Sequence, residues 1–365
     1  MMESRRADAG FRSLSELEGM AAERVPSGVW DYIQGGSGEE RTLRANREAF
    51  HRRTLLPRVL TGTGRIDPST SLLGKDVRAP FYVAPTAYQG QIHPEGECGT
   101  VAAAASAGVM SMLSTLSTFA MEEVGQSAGE GLRWFQLYLQ PEFAQTVRLV
   151  RRAQSAGFRA IVLTVDVPLL AVRDRQSKEG FALDTPVPLG NGAEFVTPAR
   201  EPQPDGSAFR LRPDGAATWE VIDRLREASE LPVVVKGILR SEDARRAVEH
   251  GAVGLVVSNH GGRQLDGAPA SLDVLSEIVA AVGPKAEVYL DGGVRRASDV
   301  LIALAMGARA VGIGRPVLWA LAVGGRAGVA HYFELLRAEL VNSMAQVGVG
   351  SLSELNRTMV RETPS

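Results

Sequence analysis

Gly254-Leu255-Val256-Val257-Ser258-Asn259-His260-Gly261-Gly262-Arg263-Gln264-Leu265-Asp266-Gly267 joins an apolar run to a glycine-rich loop that carries a histidine and an arginine. With no polar residue from Gly254 to Val257, the run suits a strand buried on both faces, as a parallel sheet requires. Polar groups follow only where the strand should end. A histidine three residues before an arginine sets a proton acceptor near neutral pH beside a fixed cation able to hold a carboxylate.

The same layout recurs on either side of this run. Pro80–Thr86, Val109–Thr115, Arg133–Tyr138, Ala160–Asp166, Pro232–Gly237, Glu287–Gly293 and Ala310–Arg315 join Gly254–His260 as eight strand candidates. Helical patterns lie between most of them, including Glu142–Ala156, Ser241–His250, Leu272–Ala281 and Ser298–Met306. Ser241-Glu242-Asp243 and Ser298-Asp299 supply a capping hydroxyl and acidic residues where helices should begin. Eight strand–helix units predict a single α/β domain built as a (β/α)8 TIM barrel over residues 80–330, with an open doubly wound sheet as the alternative. Polar residues gather at the C-terminal ends of the runs: Thr86, Ser114, Gln136, Tyr138, Thr164, Asp166, Lys236, His260, Asp291 and Arg315. In a closed barrel that end is the catalytic face.

Outside the barrel, residues 1–79 form an N-terminal extension with a helix over Pro26–Gln34 that Gly35-Gly36 stops. The stretch 173–217 is rich in Gly, Pro, Asp and Arg and is expected to be a loop or lid over the catalytic face, with no core element. Residues 331–365 are expected to add terminal helices at Glu334–Met344 and Ser353–Thr358. The 365 residues are 44% hydrophobic and 22% charged with net charge −2, the balance of an ordinary globular protein. That charge gives no footprint for nucleic acid or an acidic membrane surface. A single cysteine, Cys98, excludes an internal disulfide, and Met1-Met2-Glu3-Ser4-Arg5-Arg6 opens without an apolar leader, so a cytoplasmic location is expected. His93-Pro94-Glu95-Gly96-Glu97-Cys98 has ligand-type residues but no partner cluster, and no metal is expected.

Two glycine motifs follow the last two strands, Asp291-Gly292-Gly293-Val294-Arg295 and Gly312-Ile313-Gly314-Arg315. Glycines there let backbone N–H groups approach a phosphate, and the arginines neutralise it. Together they predict a phosphorylated ligand.

With these motifs, the string Ser258–Gly267 resembles the active-site signature of the FMN-dependent α-hydroxy acid oxidases and dehydrogenases, and the resemblance runs from about residue 12 to 358. It implies FMN as cofactor, oxidation of an (S)-2-hydroxy acid to the 2-oxo acid, and a homo-oligomer, a tetramer in the family. It also implies roles for residues. Asp291, Gly292, Gly293, Arg295, Gly314 and Arg315 would hold the FMN phosphate and ribityl chain. Pro85-Thr86-Ala87 would lie along the flavin N5 edge, with Ser114, Gln136, Thr164 and Ser258 at its polar atoms and Lys236 beside N1 and O2. His260 would be the base and Asp166 its partner. Arg263 and Arg173 would hold the substrate carboxylate, with Tyr32 and Tyr138 completing the substrate site. Val172-Arg173-Asp174-Arg175 offers two arginines, and counting from Asp166 favours Arg173.

Leu116 stands where glycolate oxidases of this family carry a pocket-closing tryptophan, and Tyr88 follows Ala87 where oxidases of small acids often have Met. With Leu169-Leu170 as apolar wall, an aromatic acid of the mandelate or 4-hydroxymandelate type is expected. A small aliphatic acid is the alternative. The absence of an apolar insertion after the fourth strand favours oxygen, reduced to hydrogen peroxide, over another acceptor. Whether the α-hydrogen leaves as a proton or as hydride stays open.

Overall fold

The computed structural model describes residues 10–177, 190–192 and 217–363. Eight parallel strands close into a barrel: Phe81–Val83, Met110–Leu113, Arg133–Leu137, Ile161–Thr164, Val233–Ile238, Gly254–Val257, Glu287–Asp291 and Ala310–Ile313. Each pairs with its sequence neighbour, and the last returns to the first through Val311 opposite Phe81. This is the (β/α)8 architecture that the strand count predicts, and closure rules out the open sheet.

Alternation along the strands decides which side chains share the lumen, because successive Cβ atoms point to opposite faces. Tyr82, Met110, Met112, Trp134, Val162, Val234, Val256, Tyr289 and Ala310 form one buried cluster inside the barrel. Their strand neighbours Phe81, Leu113, Phe135, Ile161, Leu163, Val233, Val235, Leu255, Val257, Leu290 and Val311 belong to the outer cluster shared with the helices. Two residues beyond Met112, Trp134, Val162, Val234, Val256 and Tyr289 come Ser114, Gln136, Thr164, Lys236, Ser258 and Asp291. Those six polar side chains therefore inherit the inward parity and cap the apolar lumen at the C-terminal face. The opposite end is plugged by a hairpin, Thr70–Leu72 with Lys75–Val77, whose Leu72 and Val77 join the lumen cluster.

Several local expectations need correction. All the strands but Val233–Ile238 are shorter than the sequence pattern suggests, so Thr86, Ser114, Asp166, His260 and Gly293 sit on the loops that follow. Ser241 and Ser298 do not cap their helices. The first helix begins after Arg240 without a side-chain cap, and at the second Asp299 reaches back to accept from the Arg295 and Arg296 N–H groups at 2.8 and 3.1 Å. Ser353–Thr358 is not a helix. Two 3-10 turns lead into a strand, Val360–Glu362, that pairs antiparallel with Arg53–Leu55 and ties the C-terminal end to the N-terminal region. The last long helix runs from Arg315 to Val347, broken at Gly324-Gly325, so the expected division at residue 330 falls within it.

Candidate active site

The carboxyl-end loops bring the sequence-derived residues together in three groups. The first is a titratable pair. His260 Nδ1 lies 2.9 Å from Asp166 Oδ1, and its Nε2 faces the Tyr138 hydroxyl at 3.5 Å. Donation from Nδ1 to the carboxylate leaves Nε2 as the open acceptor. Burial pushes the His260 pKa below its usual value; Asp166 opposes this, while Lys236 and Arg263 add to it. Asp166 is held low: burial would raise it, but His260 and Lys236 outweigh that. The backbone at His260 is left-handed (φ 59°), a conformation costing a side-chain-bearing residue on the order of 1–3 kcal/mol and concentrated at functional sites. Asn259 holds the turn, accepting from Gly262 N–H at 3.1 Å and exchanging two hydrogen bonds with Asn46 of the helix Arg41–His51.

The second group is a chain of amides, hydroxyls and one buried ion pair along the lumen rim. Gln136 accepts from Ser114 Oγ at 3.3 Å and donates to Thr164 Oγ1 at 3.0 Å. Lys236 Nζ donates to Ser258 Oγ at 2.7 Å and lies 3.1 Å from Asp291 Oδ2; Ser258 in turn donates to Asp291 Oδ1 at 2.5 Å. Ser258 Oγ also accepts from the His260 N–H at 3.0 Å, so one hydroxyl links the lysine, the aspartate and the histidine loop. Thr86 is held from the side by Gln89 Nε2 at 3.0 Å. Gln89 is fixed by Thr100, and its N–H donates to Glu97, a buried carboxyl raised in pKa by burial. That assigns Glu97 of the His93–Cys98 stretch to fastening loops.

Four arginines form the third group. Among the described residues none of Arg173, Arg263, Arg295 and Arg315 pairs with a carboxylate. Arg315 donates to the carbonyls of Ile33, Gly35 and Gly261, and Arg263 to those of Tyr32 and Gly35. Arg295 lies over the Trp319 ring at 4.9 Å. Burial, then Arg47, brings the Arg295 pKa down to about 10; burial, then Arg263, brings Arg173 down to about 9. Arg315 is lowered well below its usual value by burial and by Arg263, Arg295 and Arg173. Guanidiniums crowded and desolvated, with carboxylates acting on them only at longer range among the described residues, suit anions.

Two such anions fit. Arg295 and Arg315 line a cleft of about 560 Å³ with Arg47, Trp30 and Gln34, next to the loop Asp291–Arg295. Gly293 there has φ +90°, and a Cβ would run into the Asn46 carbonyl, so only glycine keeps the helix Arg41–His51 against this loop. The glycines, the two cations and the buried lysine beyond them suit a phosphate, a polyol chain and an electron-accepting ring in that order, as FMN presents. Arg173 and Arg263 form the other cationic pair, next to His260. Arg173 donates to the Arg263 carbonyl at 3.4 Å, whereas Arg175 turns away to Glu40. The geometry therefore separates the two arginines that the sequence left in competition.

An apolar patch stands beside this second site. Tyr88, Leu116, Tyr138 and Val167 form a buried cluster against which Tyr32, Ala87 and Leu170 pack. The Tyr88 N–H donates to the Leu116 carbonyl at 3.2 Å, and the Tyr32 and Tyr88 rings meet edge to face at 5.8 Å. Arg263 lies over the Tyr32 ring at 4.7 Å. Leu169 is not part of that wall: it is 38% exposed, and its carbonyl serves to accept from Gln264.

Most of the expected lid, 173–217, lies outside the described residues. Gly190–Gly192 is described, and Asn191 corrects the expectation that nothing in this stretch joins the core. It is 1% exposed, caps the helix Met121–Ala128 by accepting from Met121 N–H at 2.9 Å, and donates to the Thr115 carbonyl at 3.1 Å. Asn46 and Asn191 carry no local signal in the sequence, and the role of Asn259 depends on its pairing with Asn46, 213 residues away.

Comparison with known proteins bears on the whole arrangement. The profile of the family described as FMN-dependent dehydrogenase matches residues 21–362. An L-lactate oxidase of Nostoc sp. is 47% identical over 95% of this chain and 97% of its own. A 4-hydroxymandelate oxidase of Amycolatopsis orientalis is 45% identical over 95% and 97%. A crystal structure of mandelate oxidase with (S)-4-hydroxymandelic acid superposes with a TM-score of 0.89 at 42% identity, covering 97% of this chain and all of that one.

Proposed function

The chain belongs to the FMN-dependent dehydrogenase family, and we propose that this enzyme oxidises an aromatic (S)-2-hydroxy acid to the 2-oxo acid and passes the electrons to oxygen, releasing hydrogen peroxide. The observation that carries the reading is the His260–Asp166 pair facing two arginines that have no carboxylate partner among the described residues.

When bound, FMN supplies the two-electron acceptor for the α-carbon. The protein supplies the rest. Arg263 and Arg173 grip the substrate carboxylate, which fixes the α-carbon and converts an encounter into an oriented complex. Tyr32, stacked beneath Arg263, closes one side. His260 receives a proton at Nε2, and Asp166 at Nδ1 stabilises the imidazolium so formed. Tyr138, within reach of Nε2, orients the substrate oxygen there. Lys236 keeps a positive charge under the lumen rim where electron density arrives.

Aromatic preference rests on Tyr88, Leu116, Tyr138, Val167 and Leu170, whose apolar surfaces suit a ring better than a methyl group. The relatives' names divide among lactate, glycolate and 4-hydroxymandelate, so the comparison of substrates is the test. With purified yellow enzyme, kcat/KM for (S)-mandelate should exceed that for L-lactate and glycolate by about tenfold or more, since an apolar pocket gains on the order of 1–3 kcal/mol per group it buries. Peroxide should appear in equal amount to the 2-oxo acid. A decisive preference for lactate or glycolate sinks the aromatic assignment; turnover with a dye but without peroxide sinks the oxidase assignment. The reading also includes a cytoplasmic homo-oligomer, a tetramer, with exposed Val59 and Leu60 as apolar contacts, checked by light scattering.

A further inference from the structure

We propose that Glu40 and Arg175 are positioning residues that hold Arg173 against the substrate carboxylate. The proposal rests on the reading of Arg173 as a carboxylate-binding group. Arg173 lies at the end of an irregular stretch between Asp166 and the short helix Asp174–Ser177 and carries no ion pair among the described residues. Its neighbour Arg263 repels it: their proximity is the largest influence after burial in bringing the Arg173 pKa down to about 9. Two like charges stay together only if the backbones beneath them are fastened.

One turn fastens both. Between the helices Ser27–Gln34 and Arg41–His51, Gly38 N–H donates to the Val172 carbonyl at 3.0 Å, directly before Arg173. Two residues after it, Arg175 Nε and Nη2 donate to the two Glu40 oxygens at 3.0 and 2.8 Å, a bidentate fork that fixes orientation as well as distance. On its other side the turn holds the Arg263 loop. Ser37 N–H donates to the Gly262 carbonyl at 3.0 Å, while Glu39 and Thr42 N–H donate to the Asp266 carboxylate at 3.0 and 2.9 Å. Arg263 itself donates to the Gly35 carbonyl at 2.8 Å.

The backbone at Glu40 shows that the fork is imposed. Glu40 is left-handed (φ 61°, ψ 28°), a conformation that Asn adopts more readily than Glu. Its carboxylate also accepts from Gly36 N–H at 3.0 Å, curling the turn onto itself. Hydrogen bonds from Arg175 are the largest influence holding the Glu40 carboxyl below its usual range. No atom of the pair needs to touch substrate. Its action passes through the spacing of Arg173 and Arg263.

The test uses the flavin-loaded enzyme and Glu40→Asn, which suits the left-handed backbone but is too short and neutral to grip Arg175, with Arg175→Met as a second variant. In each, the Kd of phenylacetate, a carboxylate without the reacting hydroxyl, read from the flavin spectrum, should rise about tenfold, roughly the worth of one hydrogen bond to a charged group. KM for a 2-hydroxy acid should rise similarly at unchanged kcat, and kcat/KM for the corresponding amide, which lacks the carboxylate, should not change. FMN is kept in excess, because Arg175 lines the phosphate cleft and Glu40 acts on Arg315, and Tm should match the parent. In an Arg173→Met background, Glu40→Asn should add nothing, because its effect passes through that arginine. Equal losses on acid and amide, additive effects with Arg173→Met, or an unchanged phenylacetate Kd would overturn the proposal. If the parent oxidised no hydroxy acid, the functional reading would fall, and the phenylacetate titration with the Arg173→Met cycle would still decide this one.

Discussion

His260→Ala keeps its FMN but is reduced by substrate about 10²–10⁴-fold more slowly than the parent, the usual cost of removing a general base. The flavin stays because the phosphate arginines, the rim amides and Lys236 reach their positions without the imidazole. The loss falls on the proton, which no other group in the described site is set to take: Asp166 is committed to Nδ1, and Tyr138 offers a hydroxyl. The pH dependence carries a sign that follows from the same geometry. His260 accepts only when neutral, and burial puts its pKa below the ordinary 6.5. Reduction is therefore fully rapid at neutral pH and falls as acid protonates the ring, with the limb below 6.5. Asp166→Asn removes the group that opposes the lowering, so the limb moves to still lower pH, while the plateau drops because the imidazolium loses its counter-charge. Stopped-flow bleaching of the flavin across pH measures both. Parental reduction by His260→Ala would mean that the base lies elsewhere.

How much of this was legible in the sequence varies by residue for physical reasons. The barrel and its catalytic end were legible because eight apolar runs recur with polar residues at their C-terminal ends; alternation along the strands, which sets Ser114, Gln136 and Lys236 two residues beyond Met112, Trp134 and Val234, gives them one rim. His260 and Arg263 were legible because glycines flank them and a single loop carries both. Arg173 was half legible, since spacing alone cannot say which of two arginines turns inward; the Glu40 carboxylate, more than 130 residues earlier, decides it by taking Arg175. The same limit hid Asn46, Asn259 and Asn191, and the pairing of Arg53–Leu55 with Val360–Glu362. Nothing local marks a residue whose partner is 70 to more than 300 positions away. Ser353–Thr358 was misjudged for a related reason: composition allows a helix there, but the strand partner waiting at the other end of the chain sets the geometry.

Lys236→Ala should damage both cofactor retention and chemistry, and the two losses can be separated. Lys236 is 4% exposed, and although burial works to lower its pKa, Asp291 and Asp166 outweigh this and raise it, so it is charged at neutral pH. Its removal strands the Asp291 carboxylate, itself 6% exposed, with Ser258 as its remaining side-chain partner among the described residues. Breaking one side of a buried pair costs about 3–5 kcal/mol of stability, a cost that protonation of Asp291 can partly relieve. Loss of a preorganised cation where charge develops slows the chemical step by about 10²–10³. The expected variant is pale after gel filtration, melts well below the parent, and when refilled with excess FMN is still reduced slowly. Adding Asp291→Asn removes the stranded charge, so the double variant should regain much of the melting temperature and none of the reduction rate. That division follows from two distinct roles of one ammonium group: neutralising Asp291 in the resting protein, and meeting negative charge that exists only as substrate is oxidised. If the double variant recovered both, or if Lys236→Ala were reduced at the parental rate, the lysine would be a structural counter-ion and the electrostatic assignment would fail.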